Sequence, residues 1–197
     1  MQLRDQIGFN EKVLWEGTKD KRVTVFESIF NPLLFFALIW AVFDTSIMVL
    51  TFNDADMAVN RGVMTGILLF LAVHMMPVWI YIGGVITSAL RAKHTYYLIT
   101  DKAVYIQSGI FNTVTEVKPF TDLSHINIHT GIFDKVFGTG DVILVCSHIS
   151  MTAGYQNDTH THGMNIENIR DYEEVFRIVK NQQEIVYADT MYPNNKR

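Results

Sequence analysis

Ile29-Phe-Asn-Pro-Leu-Leu-Phe-Phe-Ala-Leu-Ile-Trp-Ala-Val-Phe-Asp-Thr-Ser-Ile-Met-Val-Leu-Thr-Phe52 carries one ionisable side chain, Asp44, along its whole length. A second apolar stretch, Val63 to Leu90, carries the imidazole of His74 and no formally charged residue. Only Asn53-Asp-Ala-Asp-Met-Ala-Val-Asn-Arg-Gly62 separates them. Each stretch exceeds the roughly 20 apolar residues that a helix needs to cross a bilayer. The reading that follows is a transmembrane helical hairpin. Two buried helices of a soluble protein would also fit a chain with 18% charged residues, but Pro32 to Phe43 offers water no polar face, which a surface helix requires. A cleaved signal peptide fits worse still, because the first apolar run starts well inside the chain and is followed by a second.

The basic flanks orient the hairpin. Lys19, Lys21 and Arg22 precede the first stretch, and Arg91, Lys93 and His94 follow the second, whereas the connection sets Arg61 against Asp54 and Asp56. Basic residues collect on the cytoplasmic side, so both termini are expected there. The chain then divides into an N-terminal cytoplasmic segment 1–28, the hairpin 29–94, a compact domain 95–190 and a polar tail 191–197.

Within the expected domain the apolar period changes to that of strands. Thr95-Tyr-Tyr-Leu-Ile-Thr100 and Ala103-Val-Tyr-Ile-Gln-Ser108 flank Asp101-Lys102, the pattern of a tight hairpin, and Gly109 permits a sharp exit. Val114 to Phe120, His125 to His129 and Asp141 to His148 mix β-branched and aromatic residues with alternating polar ones, as further strands do. From Asn168 to Gln183 the period becomes helical, with Ile169, Tyr172, Phe176 and Val179 on one stripe. Asn168 is the expected cap, Asp171 favours the positive end, and the stripe is expected to close one face of the sheet.

Tyr97-Leu-Ile-Thr-Asp-Lys-Ala-Val104, Gly109, Ser124-His-Ile126, Phe137-Gly-Thr-Gly-Asp-Val-Ile143 and the terminal helix resemble, in that order, bacterial membrane proteins carrying a pleckstrin-homology-like (PH-like) domain. Val13-Leu-Trp-Glu-Gly17 is similar to the motif that precedes the spans in such proteins. The resemblance departs from the family's Thr-Asp-x-Arg hairpin at Ala103, which stands where arginine is usual, so a role tied to that arginine is absent or displaced. It implies a membrane protein of α+β class: a two-helix hairpin followed by a partly open, seven-stranded PH-like barrel capped by the C-terminal helix. It also implies a multi-pass location in the bacterial cytoplasmic (inner) membrane. Such folds serve mainly as binding scaffolds, and fold alone does not assign chemistry.

Several sites are weighed on their residues. A phosphoinositide cradle needs a long basic loop, and Asp101-Lys102 is neither long nor basic. From Arg91 onward 10 basic residues face 12 acidic ones, which argues against a nucleic-acid partner and against a broad basic face for nucleic acid or anionic lipid. Phe137-Gly-Thr-Gly-Asp141 leads into a strand and lacks the Lys-Ser or Lys-Thr of a phosphate loop, so a tight turn is expected. Cys146, His148, His160 and His162 are chemically suited to metal but do not by themselves make a site; no metal or cofactor is expected. One cysteine excludes an intramolecular disulfide.

Asp44 and His74 each lie some turns from the shared loop, at depths that differ by only a few ångströms at about 1.5 Å per residue. They are expected to meet, either as an interhelical hydrogen bond or as part of a proton or ion path. Pro77 is expected to kink the second helix near His74. Gly66, Gly83 and Gly84 are small-residue positions suited to close helix approach. No nucleophile, base and orienting group occur together in one segment, so the chain reads as non-enzymatic. The expected function is a membrane-anchored scaffold, with lipid as solvent, that forms a homo-oligomer and binds a membrane protein or peptide. The alternatives are a small ion or proton transport component using Asp44 and His74, or a membrane enzyme subunit.

Overall fold

The computed structural model describes residues 3–53, 61–146 and 164–191. It comprises two compact units, one formed by Met1–Thr24 with Leu90–Arg197 and the other by Val25–Ala89. In chain order the elements are β1 (Val13–Thr18), α1 (Lys21–Ile29), α2 (Leu33–Phe52), α3 (Arg61–His74), α4 (Met76–Lys93), β2 (Tyr96–Thr100), β3 (Ala103–Ser108) and β4 (Val114–Pro119). Then come β5 (Leu123–His129), α5 (Ile132–Phe137), β6 (Gly140–Cys146), β7 (Met164–Ile169) and α6 (Tyr172–Met191). A short 3-10 turn, Leu3–Gln6, precedes β1.

The first unit is a PH-like α+β fold built from two antiparallel sheets, ordered β1-β2-β3-β4 and β5-β6-β7. Among the described residues the seven strands do not close into one barrel. Alternation along β2 and β3 sends side chains to opposite faces. Tyr97, Ile99, Val104 and Ile106 join Phe120, Leu123, Val142, Leu144 and Ile166 in the main core, while Leu98, Ala103 and Tyr105 pack beneath Leu3 on the other face. Both faces of these central strands are thereby dry. A hydrogen bond joins the two sheets: the Glu167 N–H donates to the Tyr97 hydroxyl at 3.1 Å. Burial of that phenol, more than any neighbouring charge, raises its pKa well above the ordinary range.

The domain does not begin at residue 95. β1 pairs with β2 from Val13↔Thr100 to Thr18↔Tyr96, and Trp15 packs against the main core. The expected N-terminal segment 1–28 therefore supplies an edge strand to the sheet, across the whole apolar insertion. The terminal helix also differs from expectation. Asn168, the last residue but one of β7, is in the left-handed conformation, φ 54°, which asparagine tolerates, and the helical hydrogen bonds start with Val175 N–H to the Asp171 carbonyl at 2.9 Å. Asn168 is not the cap. Its side-chain amide donates to Thr24 Oγ1 at 3.0 Å instead. The buried stripe is accordingly centred on Val175 and Val179, with Tyr172, Phe176 and Ile178 half-buried beside it.

In place of a simple tight turn at Phe137 to Asp141, the six-residue α5 ends on Gly138 at φ 69°, and β6 follows. Glycine adopts that conformation without the Cβ penalty. The order is helix, loop, strand, so no phosphate-binding loop forms there.

In the second unit both apolar stretches are interrupted at prolines. Phe30, Asn31 and Pro32 separate α1 from α2, where the missing N–H of proline is tolerated at a helix start. The stretch Val63 to Leu90, expected as one helix, is α3 and α4 bent by 49° at Met75. Pro77 cannot donate to Val73, and Val78 N–H bonds the Met75 carbonyl at 2.9 Å, so the His74 carbonyl is released from the ladder. Among the described residues one helix, Leu33–Thr51, is by itself long and apolar enough to cross a membrane; the bent pair counts as a second only if taken as one span.

Candidate functional site

His74 is the last residue of α3, at the bend, and Asp44 faces it from the middle of α2. Asp44 Oδ1 lies 2.7 Å from His74 Nδ1. The released His74 carbonyl accepts a hydrogen bond from Trp40 Nε1 at 2.7 Å, one turn before Asp44. The imidazole is stacked between Trp40 and Phe70, with ring centroids 5.0 and 5.2 Å away, and Phe43 lies against it at 6.3 Å. Asp44 is only 3% exposed, and its second oxygen, Oδ2, has no hydrogen-bond partner. A neutral His74 donating from Nδ1 satisfies Oδ1 alone. The pair is thus a buried polar contact in an aromatic box with one acceptor left over, an arrangement costly unless that acceptor is met by a proton or a donor.

Gly66, Gly83 and Gly84 do not pack against the chain's own helices. A Cβ at any of the three would meet no atom within 4 Å. The exposed surface around them is apolar: Leu69 and Phe70 in α3, and Trp79, Ile80 and Ile86 in α4, are each at least half exposed.

Of the histidine and cysteine candidates, His148, His160 and His162 lie outside the described residues, and Cys146 is a free, half-buried thiol at the end of β6. The sheet instead brings together His129, Asp134 and Asp141, with ligand atoms within 4.8 Å of one another. Their spacing hides this in the sequence, because His129 meets Asp141 only through the β5–β6 register. The Asp134 oxygens already accept from Gly131 N–H at 2.8 Å and the Thr139 hydroxyl at 2.6 Å, and Asp141 Oδ1 accepts from Asn168 N–H at 2.7 Å. These bonds staple α5 and the end of β7 onto β6. Desolvation holds the Asp141 carboxyl above its ordinary 3.8, with Asp134 and Glu167 adding to it against the Asn168 and His129 hydrogen bonds. A carboxyl raised in the folded state contributes stability below the unfolded value and loses it as pH rises through the folded one. Asp141→Asn keeps the acceptor for Asn168 and cannot ionise. Its melting temperature, compared with that of the parent, should therefore shift in the variant's favour as pH rises from about 3 to about 6.

The hairpin at Thr100–Ala103 holds no ligand cradle. Thr100 Oγ1 accepts from Ala103 N–H at 3.0 Å, and Asp101 Oδ1 accepts from Lys12 N–H at 3.0 Å, so its polar groups are spent on the turn and on the N-terminal segment. Ala103 is buried beside Leu3 and Tyr105, in a space an arginine would overfill. The outer strand β4 presents Val114 and Val117, 55% and 44% exposed, along an edge with no neighbour among the described residues.

Two sheets backed by a C-terminal helix, with a hairpin that is structural and edges that are open, define a PH-like fold. The family model described as Bacterial PH domain matches residues 22–183, and the chain belongs to that family. The match takes in the apolar helices and leaves out β1. No curated protein and no solved structure matches the chain.

Proposed function

We propose that the protein is a membrane-anchored scaffold whose PH-like module binds protein, either further copies of itself or another membrane component. The observation that carries this reading is the surface of α2: only 11% of the Leu33–Thr51 window is buried. Phe35, Ile39 and Leu50 are 71%, 70% and 74% exposed, which water would penalise and a bilayer accommodates. We read the bent pair α3–α4 as the returning span, and the basic flanks Lys19, Lys21, Arg22, Arg91 and Lys93 support a topology with both termini on the cytoplasmic side of an inner membrane. The open glycines support assembly through the helices, and the unpaired β4 edge supports capture of a strand or peptide.

Mass measurement of the full chain in lipid nanodiscs tests this. A species of more than one chain is expected, and Gly83→Leu or Gly84→Leu should convert it to monomer while leaving the fold intact, since neither added side chain starts against its own protein. A monomer at all concentrations, unchanged by either substitution, overturns self-assembly. A second reading, a small proton or ion transport component, is favoured by one observation, the buried and unpartnered Asp44 Oδ2.

A further inference from the structure

The four-stranded sheet has one end where the chain leaves for the apolar helices and returns from them. Thr18 pairs with Tyr96, Tyr96 with Gln107, and Ser108 with Val114, so the β3–β4 loop, residues 109–113, stands at that same end. The loop is held in a fixed shape. Gly109 sits at φ 137°, and a Cβ there would collide with the Asn112 carbonyl oxygen, so the turn demands glycine. At its tip Phe111 is 95% exposed.

Charge is segregated around the same end. Lys21 and Arg22 follow β1 directly, and Arg91, Lys93 and His94 precede β2; all five are exposed, and no ion pair engages their side chains among the described residues. Of the neighbouring carboxylates, Asp20 is paired with Arg170, Glu167 with Lys19 and Glu16 with Arg4, while Asp171 and, on β4, Glu116 are exposed. A chain with a net charge of −4 therefore carries a local basic rim around a protruding aromatic. The opposite end of the sheet offers an internal contrast. Phe9 is as bare, at 97%, but its surroundings, Glu11, Lys12, Asp101 and Lys102, are of mixed sign.

We propose that this end of the domain is a lipid-facing surface, with Phe111 dipping into the interface of an anionic bilayer and Lys21, Arg22, Arg91 and Lys93 held over its headgroups. The inference rests on the membrane-anchored reading and goes beyond it, because an anchored domain need not touch the bilayer. An aromatic ring with basic residues beside it suits the boundary between headgroups and acyl chains, where the ring is dehydrated and the cations stay wet.

The test uses the full chain with Cys146→Ser, carrying an environment-sensitive fluorophore at Asn112→Cys or, for comparison, at Asn10→Cys. It is reconstituted in phosphatidylcholine nanodiscs with or without about one third phosphatidylglycerol. The label at residue 112 should emit more strongly and further to the blue with the anionic lipid, and the label at residue 10 should not respond. Phe111→Ser should abolish the shift. Raising salt from about 0.1 to about 1 M, which shortens the Debye length from about 10 to about 3 Å, should remove the anionic component. Incorporation into nanodiscs with the same spectra at both positions and in both lipids overturns this inference alone. A chain that stays in the aqueous fraction without detergent overturns the spanning reading and this one together.

Discussion

Removing residues 3–18 is expected to unfold the PH-like unit, although in sequence the apolar helices separate these residues from the rest of the domain. Three losses coincide. The main core loses Trp15, and the second cluster loses Leu3 and the half-buried Val13 and Ile7 over Leu98, Ala103 and Tyr105. Strand β2 loses its partner along the register from Val13 to Thr18. Glu11 Oε2 no longer accepts from the Thr100 hydroxyl at 3.0 Å or the Tyr105 hydroxyl at 2.9 Å. Each large apolar side chain withdrawn from a buried position costs about 1.5–3 kcal/mol. Together the losses match or exceed the roughly 5–15 kcal/mol by which domains are stable. Residues 90–191 produced alone should show no cooperative transition in urea, whereas residues 3–24 joined to them by a glycine-serine linker should restore one. Cooperative unfolding of 90–191 by itself would reduce β1 to a dispensable edge.

That prediction marks where the sequence ceases to be readable by local pattern. The hairpin Thr95 to Ser108 announces itself because both strands and their two-residue turn are contiguous, and the alternation of Tyr97, Leu98 and Ile99 needs no distant partner to be seen. Val13-Leu-Trp-Glu-Gly17 is a similar short run, but its partner lies some 80 residues later by the register Gly17↔Tyr97, so no periodicity links them. α5 escapes for another reason: Ile132 and Val136 are 80% and 74% exposed, leaving no apolar stripe to betray a helix of six residues. Asn168 reads as a cap because cap residues and left-handed residues are drawn from the same small polar set; only the backbone distinguishes the two uses. In the helical unit, counting residues from the shared loop is enough to set Asp44 and His74 at like depth. The freed carbonyl, the Trp40 donor and the unsatisfied oxygen depend on how the helix breaks at Met75, which composition does not encode.

Asp44→Leu is expected to destabilise the helical unit by about 1–3 kcal/mol, the cost of leaving a buried donor unmet, and the cause is the orphaned histidine more than any lost attraction. His74 Nδ1 would face an alkyl chain inside the ring stack of Trp40 and Phe70 in place of its carboxylate partner. Asp44→Asn should be better tolerated, since its amide oxygen can still accept from Nδ1. The double variant Asp44→Leu with His74→Leu should recover much of the loss, because an apolar pair leaves nothing unsatisfied. Thermal unfolding in mild detergent gives the three values, and their non-additivity measures the contact. The same variants separate structure from transport. A scaffold shows no pH-driven flux in proteoliposomes for the parent and retains its assembly in Asp44→Asn. A proton path requires a carboxyl that can ionise, so flux present in the parent and absent in Asp44→Asn, at undiminished stability, would assign the free Oδ2 to proton movement and displace the scaffold reading.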